Sequence, residues 1–376
     1  MALPDGPVFL IHQTFQGRSD LPPIGKARKG AGGSSPGLFL DFGAVHLRGI
    51  REDADKHDPL EPLLAGGAIN DTKKRQHPLA PWAKRKAPES KAEWERTVRQ
   101  GLEEQRSNLS PEALTVPGAD LSTAAFPTVF ERQNEAIRRA WKNRPGGDPE
   151  WLAHFCLHDD WLKDTRLRRF ALNLITDLPD SIGIALQIRF SRRDRSADEA
   201  VLRGLREIVR VLADDDRRVL LVKSGALGWL SIAWGAWGFT AGRSQGTWVD
   251  SREVIRRRKG QPSPPRLERY FEPQLLHHVL DGDHRRFKTA TGFQQCPCSF
   301  CKKMKTTWSA RPAAQHDLYA LSDLTQRVAV GDRTARREEV RKVVEEAQTN
   351  WANWQSITGL SPRARPAHLS TWRSLL

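Results

Sequence analysis

Three of the chain's four cysteines fall within six positions, in the segment "CPCSFC" at residues 296–301. The C-x-C-x-x-C spacing of Cys296, Cys298 and Cys301 lets three sulfurs converge on one ion through a tight turn. Zinc takes four ligands in a tetrahedron and accepts sulfur with imidazole. The spacing therefore asks for a fourth ligand. His316, at the head of a helix "QHDLYALSDLTQRVA", is the first candidate, with His277 and His278 as rivals. A closed Cys3His set leaves no coordination position for substrate, so such a metal would be structural and would hold the final helices in place. Free thiols or a redox pair are the alternative use of the cluster. A second kind of chemistry is written into carboxylates near the ends of apolar runs: Asp41 in "LFLDFGAVH", His158, Asp159 and Asp160 in "CLHDDWL", and Asp250 in "FTAGRSQGTWVDS". Neighbours on a strand alternate faces, so one of Asp159 and Asp160 is expected to be structural, as a helix cap before Trp161. Gly225 and Gly228, in "SGALG", could bring backbone amides to a phosphate or base, or could serve close helix–strand packing.

Positioning these groups requires a scaffold, and the apolar runs describe one. Segments of strand length recur at residues 7–15, 37–47, 113–121, 152–161, 182–190, 218–225 and 238–242. Their apolarity is continuous rather than alternating, as in parallel strands covered on both sides. Between them lie amphipathic helices. In residues 197–215, Val201, Leu202, Leu205, Ile208, Val209, Val211 and Leu212 mark one face while Arg and Glu fill the other. A further helix is expected near residues 226–234. This rhythm suits an α/β fold, either a closed (β/α)8 barrel or a doubly wound open sheet. No Gly-rich dinucleotide fingerprint follows the first strand, and strand-terminal Asp, His and Gly fit a site built from many loops at one rim. The expected fold is therefore the TIM-type barrel, over residues 1–266, interrupted by basic, proline-rich loops at 17–37, 73–91 and 256–266. From residue 267 the character changes: residues 267–287 read as a helix, the cysteine cluster follows, and two more helices are expected over 315–329 and 334–357. Residues 267–376 thus read as a C-terminal zinc-binding helical subdomain.

Composition narrows the partners. Sixty Lys and Arg against 45 Asp and Glu give a formal charge of +15, which favours a polyanion such as nucleic acid over small neutral ligands. The most apolar stretch, residues 219–242, is broken by Lys223 and five glycines and reads as buried core rather than a membrane span. The amino terminus shows no signal or transit pattern, so the expected compartment is the cytoplasm, with no membrane partner. Four cysteines in 376 residues are too few for a disulfide framework. Thirteen tryptophans are present. Trp229, Trp234, Trp237 and Trp248 gather near the expected rim, where they could stack on bases, although core packing is their commoner use.

"CPCSFC" followed by "AAQHDLYALSDLTQRVA", residues 296–329, resembles the zinc subdomain of the tRNA-guanine transglycosylases. There three cysteines in this spacing and a His heading a His-Asn-Leu helix bind zinc behind a (β/α)8 barrel; here the triplet is His316-Asp317-Leu318. The resemblance implies base exchange on a guanine in nucleic acid: a carboxylate attacks the anomeric carbon, the purine leaves, and a second purine or 7-deazapurine replaces it. It implies that Asp41 is the general acid/base, since "DFGA" is similar to the family's Asp-Ser-Gly-Ala segment with Phe42 in place of Ser. It further implies purine reading by the His158–Asp160 segment, and Asp250 is the nominee for the nucleophile. The segment between Cys301 and His316 is shorter than in the family, and the family's Gly-Gly-Leu and Asp-Cys-Val segments have no counterpart. These departures point towards a divergent paralogue, such as the branch inserting 7-deazaguanine into DNA. Its alternative is a non-catalytic nucleic-acid-binding paralogue that keeps barrel and zinc. Either reading is compatible with protein partners or a homodimer.

Overall fold

A computed structural model describes residues 6–14, 37–41, 64–66, 68–69, 90–108, 113–121, 126–191, 198–242, 250–251, 269–304 and 310–376. The three basic, proline-rich segments lie almost entirely outside these residues, as does Trp248. The strands are β1 (Val8–Thr14), β2 (Gly37–Asp41), β3 (Leu64–Gly66), β4 (Ala68–Ile69), β5 (Ala113–Val116), β6 (Gly118–Leu121), β7 (Glu150–His158), β8 (Ile182–Phe190), β9 (Val219–Val222), β10 (Gly238–Gly242), β11 (Asp250–Ser251), β12 (Arg269–Glu272) and β13 (His277–Leu280). The helices are α1 (Lys91–Asn108), α2 (Phe126–Lys142), α3 (Asp159–Lys163), α4 (Thr165–Thr176), α5 (Glu199–Asp214), α6 (Gly225–Ser231), α7 (Asp281–Phe287), α8 (Ser299–Lys303), α9 (Ala310–Val328), α10 (Arg333–Trp354) and α11 (His368–Ser374). For β2, β3, β4 and β11 only the backbone is described.

The fold is α/β, and its parallel sheet curls on itself. Pairings run from β1 to β2, β3, β5, β7, β8, β9 and β10, and β10 pairs back with β1 through Val8 to His12. Residue parity along the strands sorts the side chains. Val8, Leu10, Ala113, Leu152, Ala185, Leu220, Val222 and Trp237 form one apolar cluster. The intervening residues, such as Phe9, Ala153, Phe155, Ile184, Leu186, Leu221 and Phe239, join the larger cluster beneath the helices. Along the inner set, polarity rises towards the strands' carboxyl ends: His154, Gln187 and Thr240 are buried there, with His154 Nε2 3.1 Å from Gln187 Oε1.

The helices bury the faces their periodicity demands. In α5, Asp198 caps the first turn by accepting from Ala200 and Val201, while Val201, Leu202, Leu205, Ile208, Val209 and Leu212 are buried. Each such side chain contributes about 1.5–3 kcal/mol relative to exposure. Val211 departs from the expected stripe and is 39% exposed, because it sits one residue around the helix from Leu212. Trp229, Trp234 and Trp237 are buried and offer no face to a base; the Trp229 indole donates to the Leu324 carbonyl at 3.1 Å.

The expected helix over 267–287 is instead an antiparallel hairpin, β12 with β13, followed by the short helix α7. Pro273 cannot sit inside a helix, and Tyr270, Phe271 and Val279 favour extended backbone. Both backbone groups of Phe271 are also claimed from outside: its N–H donates to Asp317 Oδ1 at 3.1 Å and its carbonyl lies 2.8 Å from His316 Nε2. α9 begins at Ala310 rather than near 315, since Pro312 in a first turn is no obstacle to a helix. The closing helices join the same buried cluster as the strands' outer faces, with Leu321, Leu324, Val344 and Trp354 beside Phe239 and Trp229. Arg333 adds a hydrogen bond to the Trp234 carbonyl at 2.7 Å. No helix among the described residues is long and apolar enough to cross a membrane.

The contact between α3 and α5 gives a direct test of this packing. A Cβ on Gly204 of α5 would lie 2.1 Å from the Leu162 carbonyl oxygen of α3, with further Leu162 backbone behind it. Gly204→Ala is expected to destabilise the chain by about 1–3 kcal/mol, read as a lowered denaturant midpoint at unchanged metal content.

Candidate metal centre and strand-end site

The loop before α8, its first turn, and α9 supply one convergent set of donors. Cys298 is the N-cap of α8 and its sulfur accepts from the Cys301 amide at 3.3 Å, so a local capping bond already brings two of the thiols together. Cys296 precedes them. His316, in the second turn of α9, points Nδ1 at all three sulfurs, at 3.5 Å from Cys296, 3.5 Å from Cys298 and 3.3 Å from Cys301. All four donor atoms lie within 4.8 Å of one another. In a tetrahedron with zinc–sulfur bonds of about 2.3 Å and a zinc–nitrogen bond of about 2.0–2.1 Å, a sulfur–nitrogen edge measures about 3.5 Å. The donor set therefore matches a four-coordinate ion such as zinc and could hold one. Among the expected ligands these four are brought together. His277 and His278 turn elsewhere: His277 Nε2 lies 2.9 Å from the Arg363 carbonyl and His278 Nε2 4.0 Å from Asp317. Cys156 sits inside β7, paired in register with Gln187.

The hairpin builds the surroundings that the sequence did not announce. With Nδ1 facing the sulfurs, the Nε2–H of His316 donates to the Phe271 carbonyl, which fixes the tautomer and the ring's orientation. The Tyr270 ring stacks on that imidazole at 4.1 Å and 5°, and its hydroxyl lies 3.2 Å from Cys301 Sγ. Burial, with Glu272 and Cys301 nearby, pushes the Tyr270 pKa upwards, so it stays a donor. His284 covers the other face of Tyr270 at 3.8 Å and is itself held by Glu272 at 3.1 Å.

Electrostatics distinguishes the thiols. Hydrogen bonds from Cys296 and Cys301 hold the Cys298 thiol far below its usual range, while hydrogen bonds to Cys298 and Cys301, with burial, push Cys296 up. Burial opposes a charge on His316, yet its bonds to Cys298 and Cys301 outweigh that and hold its pKa well above the usual value. Further thiolates call for a cation, which is how metal binding displaces protons.

The strand-end carboxylates are arranged differently from one another. His158 ends β7 and caps α3, accepting from the Asp160 amide at 3.4 Å. Asp159 and Asp160 lie in the first turn of α3 rather than on the strand, so strand alternation does not govern them. Both reach His158, Asp159 Oδ1 at 3.0 Å from Nε2 and Asp160 Oδ2 at 2.9 Å from Nδ1. Asp159 is fully buried and accepts from the Ser191 amide at 3.0 Å and hydroxyl at 2.8 Å. Asp41 closes β2 in register with Thr14, and Asp250 opens β11 in register with Arg189, which is also the partner of His158. The side chains of Asp41 and Asp250 lie outside what the structure describes. Gly225 has φ of +51° and Lys223, just before it, +53°, so the β9–α6 turn passes twice through the left-handed region. The Gly228 amide donates to the Ser224 carbonyl at 3.3 Å, and a Cβ there would strike Ser224 and Phe239 at 2.1 and 2.4 Å. Close packing accounts for Gly228.

No family model matches this chain, and no curated protein does. Among solved structures, triosephosphate isomerase from Bartonella henselae is similar over 62% of this chain and 92% of that chain, with 11% identity and a TM-score of 0.32.

One cleft, of about 680 Å³, opens between α9, α10 and the Cys296 loop rather than at the strand ends. Its charges answer one another: Arg327 is bound by Glu346 at 2.8 Å and Glu339 at 3.2 Å. It adds no convergent reactive groups.

The metal centre is testable through its neighbours. Tyr270→Phe should keep about one zinc per chain but weaken binding about 10- to 100-fold, measured by competition with a chromophoric chelator. Cys298→Ser should lose the metal and lower the melting temperature. Full zinc in that variant would remove the cluster as the ligand set.

Proposed function

We propose that the chain is a zinc-stabilised (β/α)8 barrel of the transglycosylase type, residues 1–266, with a C-terminal zinc-binding helical subdomain, residues 267–376, and that it exchanges a guanine in DNA or tRNA for another purine or 7-deazapurine. One observation carries the reading. His158 and Asp250 are both register partners of Arg189, so an imidazole–carboxylate group and a second acidic position stand two strand spacings apart, roughly 10 Å between backbones. Asp41 ends β2, four steps around the sequence of pairings from β8. Acidic positions from separate strands are thus collected at one end of the curled sheet, the end towards which its inner lining becomes polar, where barrel enzymes place their chemistry.

Base exchange needs these roles. The Asp250 carboxylate attacks the anomeric carbon, the glycosidic electrons leave with the base, and Asp41 exchanges the proton that the departing and arriving bases require. The target nucleotide must be unstacked from its polymer to reach such a site. A formal charge of +15 supplies the attraction for phosphates. Zinc, when bound by Cys296, Cys298, Cys301 and His316, would fix α8 and α9 against the hairpin without touching substrate.

Incubation with radiolabelled guanine and either tRNA or duplex DNA should carry label into one polymer. Asp250→Asn should reduce incorporation by at least about 10²-fold without loss of polymer binding. Salt-sensitive binding of a polymer with no incorporation into either would contradict the exchange reaction and leave a nucleic-acid-binding module.

A further inference from the structure

Helix α5 turns outward a cationic face that its own carboxylates do not neutralise. Its apolar stripe, from Val201 to Leu212, is buried with the strands' outer faces, so the opposite side meets solvent. Arg203, Arg206 and Arg210 follow an i, i+3, i+7 spacing, which sets them in one row about 10 Å long on that side. The acidic residues of the helix are engaged by other arginines. Glu207 accepts from Arg168 of α4 at 2.8 Å, Asp214 is held by Arg333 of α10, and Glu199 pairs with Arg203 one turn on. Among the described residues, Arg206 and Arg210 have no carboxylate partner.

A further cation closes on the row from the carboxyl-terminal region: Arg337 of α10, whose guanidinium also reaches Leu376. Burial, with the charges of Arg210, Arg337 and Arg203, holds the Arg206 guanidinium below its ordinary value. Like charges gathered around a partly buried one repel, so the row costs the folded chain stability. Stability given up in this way points to a role outside the fold. The row also has a direction. Lys163 of α3, the helix that starts where β7 ends, reaches Asp198 at the start of α5 at 2.6 Å. The Arg203 end therefore lies on the side of the strands' carboxyl ends, and the row leads away from it.

The chemistry of the row selects its partner. Arginine binds phosphate through paired N–H donors, and about 10 Å is the rise of about three phosphates along one strand of a duplex. A single phosphorylated side chain would need the guanidiniums to converge on one point, whereas helical spacing spreads them in a line. A lipid surface is matched less well. Interfacial helices carry apolar side chains into the bilayer, but here the apolar stripe is committed to the core, and Val211 is the one large aliphatic of α5 that is exposed.

We propose that Arg203, Arg206 and Arg210 of α5, with Arg337 of α10, form a docking surface for the phosphate backbone of a nucleic acid, laid out so that the bound polymer leads towards the strand-end mouth. The surface belongs to the helical layer outside β8 and β9, so it positions the polymer and reads no base. Its partner rests on the nucleic-acid reading above.

Fluorescence anisotropy tests the surface, using the full, zinc-loaded chain with a labelled DNA duplex and a labelled tRNA over a range of salt concentrations. For whichever polymer binds, Arg206→Gln/Arg210→Gln should reduce the slope of log affinity against log salt by about two, while its denaturant midpoint equals that of the parent chain or rises. A control of equal charge, Arg138→Gln/Arg285→Gln, removes arginines that pair with Asp177 and Asp281 and should leave the slope unchanged. An unaltered slope in the α5 variant, an equal fall in the control, or a lowered denaturant midpoint in the α5 variant would overturn the surface. So would binding to phosphatidylcholine–phosphatidylserine vesicles that needs the two arginines while binding of both polymers does not. Binding of neither polymer by the parent chain would overturn the surface and the nucleic-acid reading together. Arginine-dependent binding with no base exchange would support the surface and overturn the exchange reaction. Exchange with an unaltered KM for the polymer in the α5 variant would overturn the surface and leave the exchange reaction standing.

Discussion

Three sulfurs and an imidazole nitrogen share one pocket, and such a pocket can hold several thiolates only at a cost that a cation removes. That electrostatic demand organises the carboxyl-terminal third of the chain. His316 faces the sulfurs through Nδ1 and reaches the Phe271 carbonyl through Nε2, while the next residue, Asp317, takes the Phe271 amide. A single strand residue is therefore gripped at both backbone groups by one turn of α9. The hairpin packs against α9, and Tyr270, between the rings of His316 and His284, seals the contact. The same helix carries Leu321 and Leu324 into the cluster that includes Trp229 and Phe239, which links the thiol pocket to the outer side of the parallel strands through packed side chains.

A second gradient belongs to the strands themselves. Their inner lining is apolar where Val8, Leu152, Leu220 and Trp237 meet and becomes polar at His154, Gln187 and Thr240. Polar groups inside a lining are costly unless paired, and the pairing of His154 with Gln187 offsets that cost below the mouth. The fold thus separates two groups of residues. A donor set that could hold a metal lies beside the hairpin, and His158, Asp159 and Asp160 lie where β7 passes into α3.

Much of this was legible in residue order. The runs at 152–161, 182–190 and 238–242 became β7, β8 and β10 with ends shifted by at most a few residues, because continuous apolarity is what a doubly covered parallel strand must show. The cysteine spacing and His316 were legible for a similar reason, since few arrangements of three thiols within six residues can avoid meeting. The hairpin was not. Its pairing depends on contacts made by Asp317 and His316 from a later helix, and no local window around Tyr270 contains them. Asp159 and Asp160 were misplaced onto a strand because the helix boundary falls at His158, a residue that acts as its own cap acceptor. The tryptophans were ambiguous by composition alone; burial of Trp229 and Trp234 resolves them as core.

The claim on which the rest depends is that one ion draws Cys296, Cys298, Cys301 and His316 together. Zinc-edge X-ray absorption on the purified chain tests it most directly. The predicted spectrum fits three sulfurs near 2.3 Å and one nitrogen near about 2.0–2.1 Å. A first shell of oxygen donors, or a disulfide between any two of the three cysteines in place of bound metal, would contradict it.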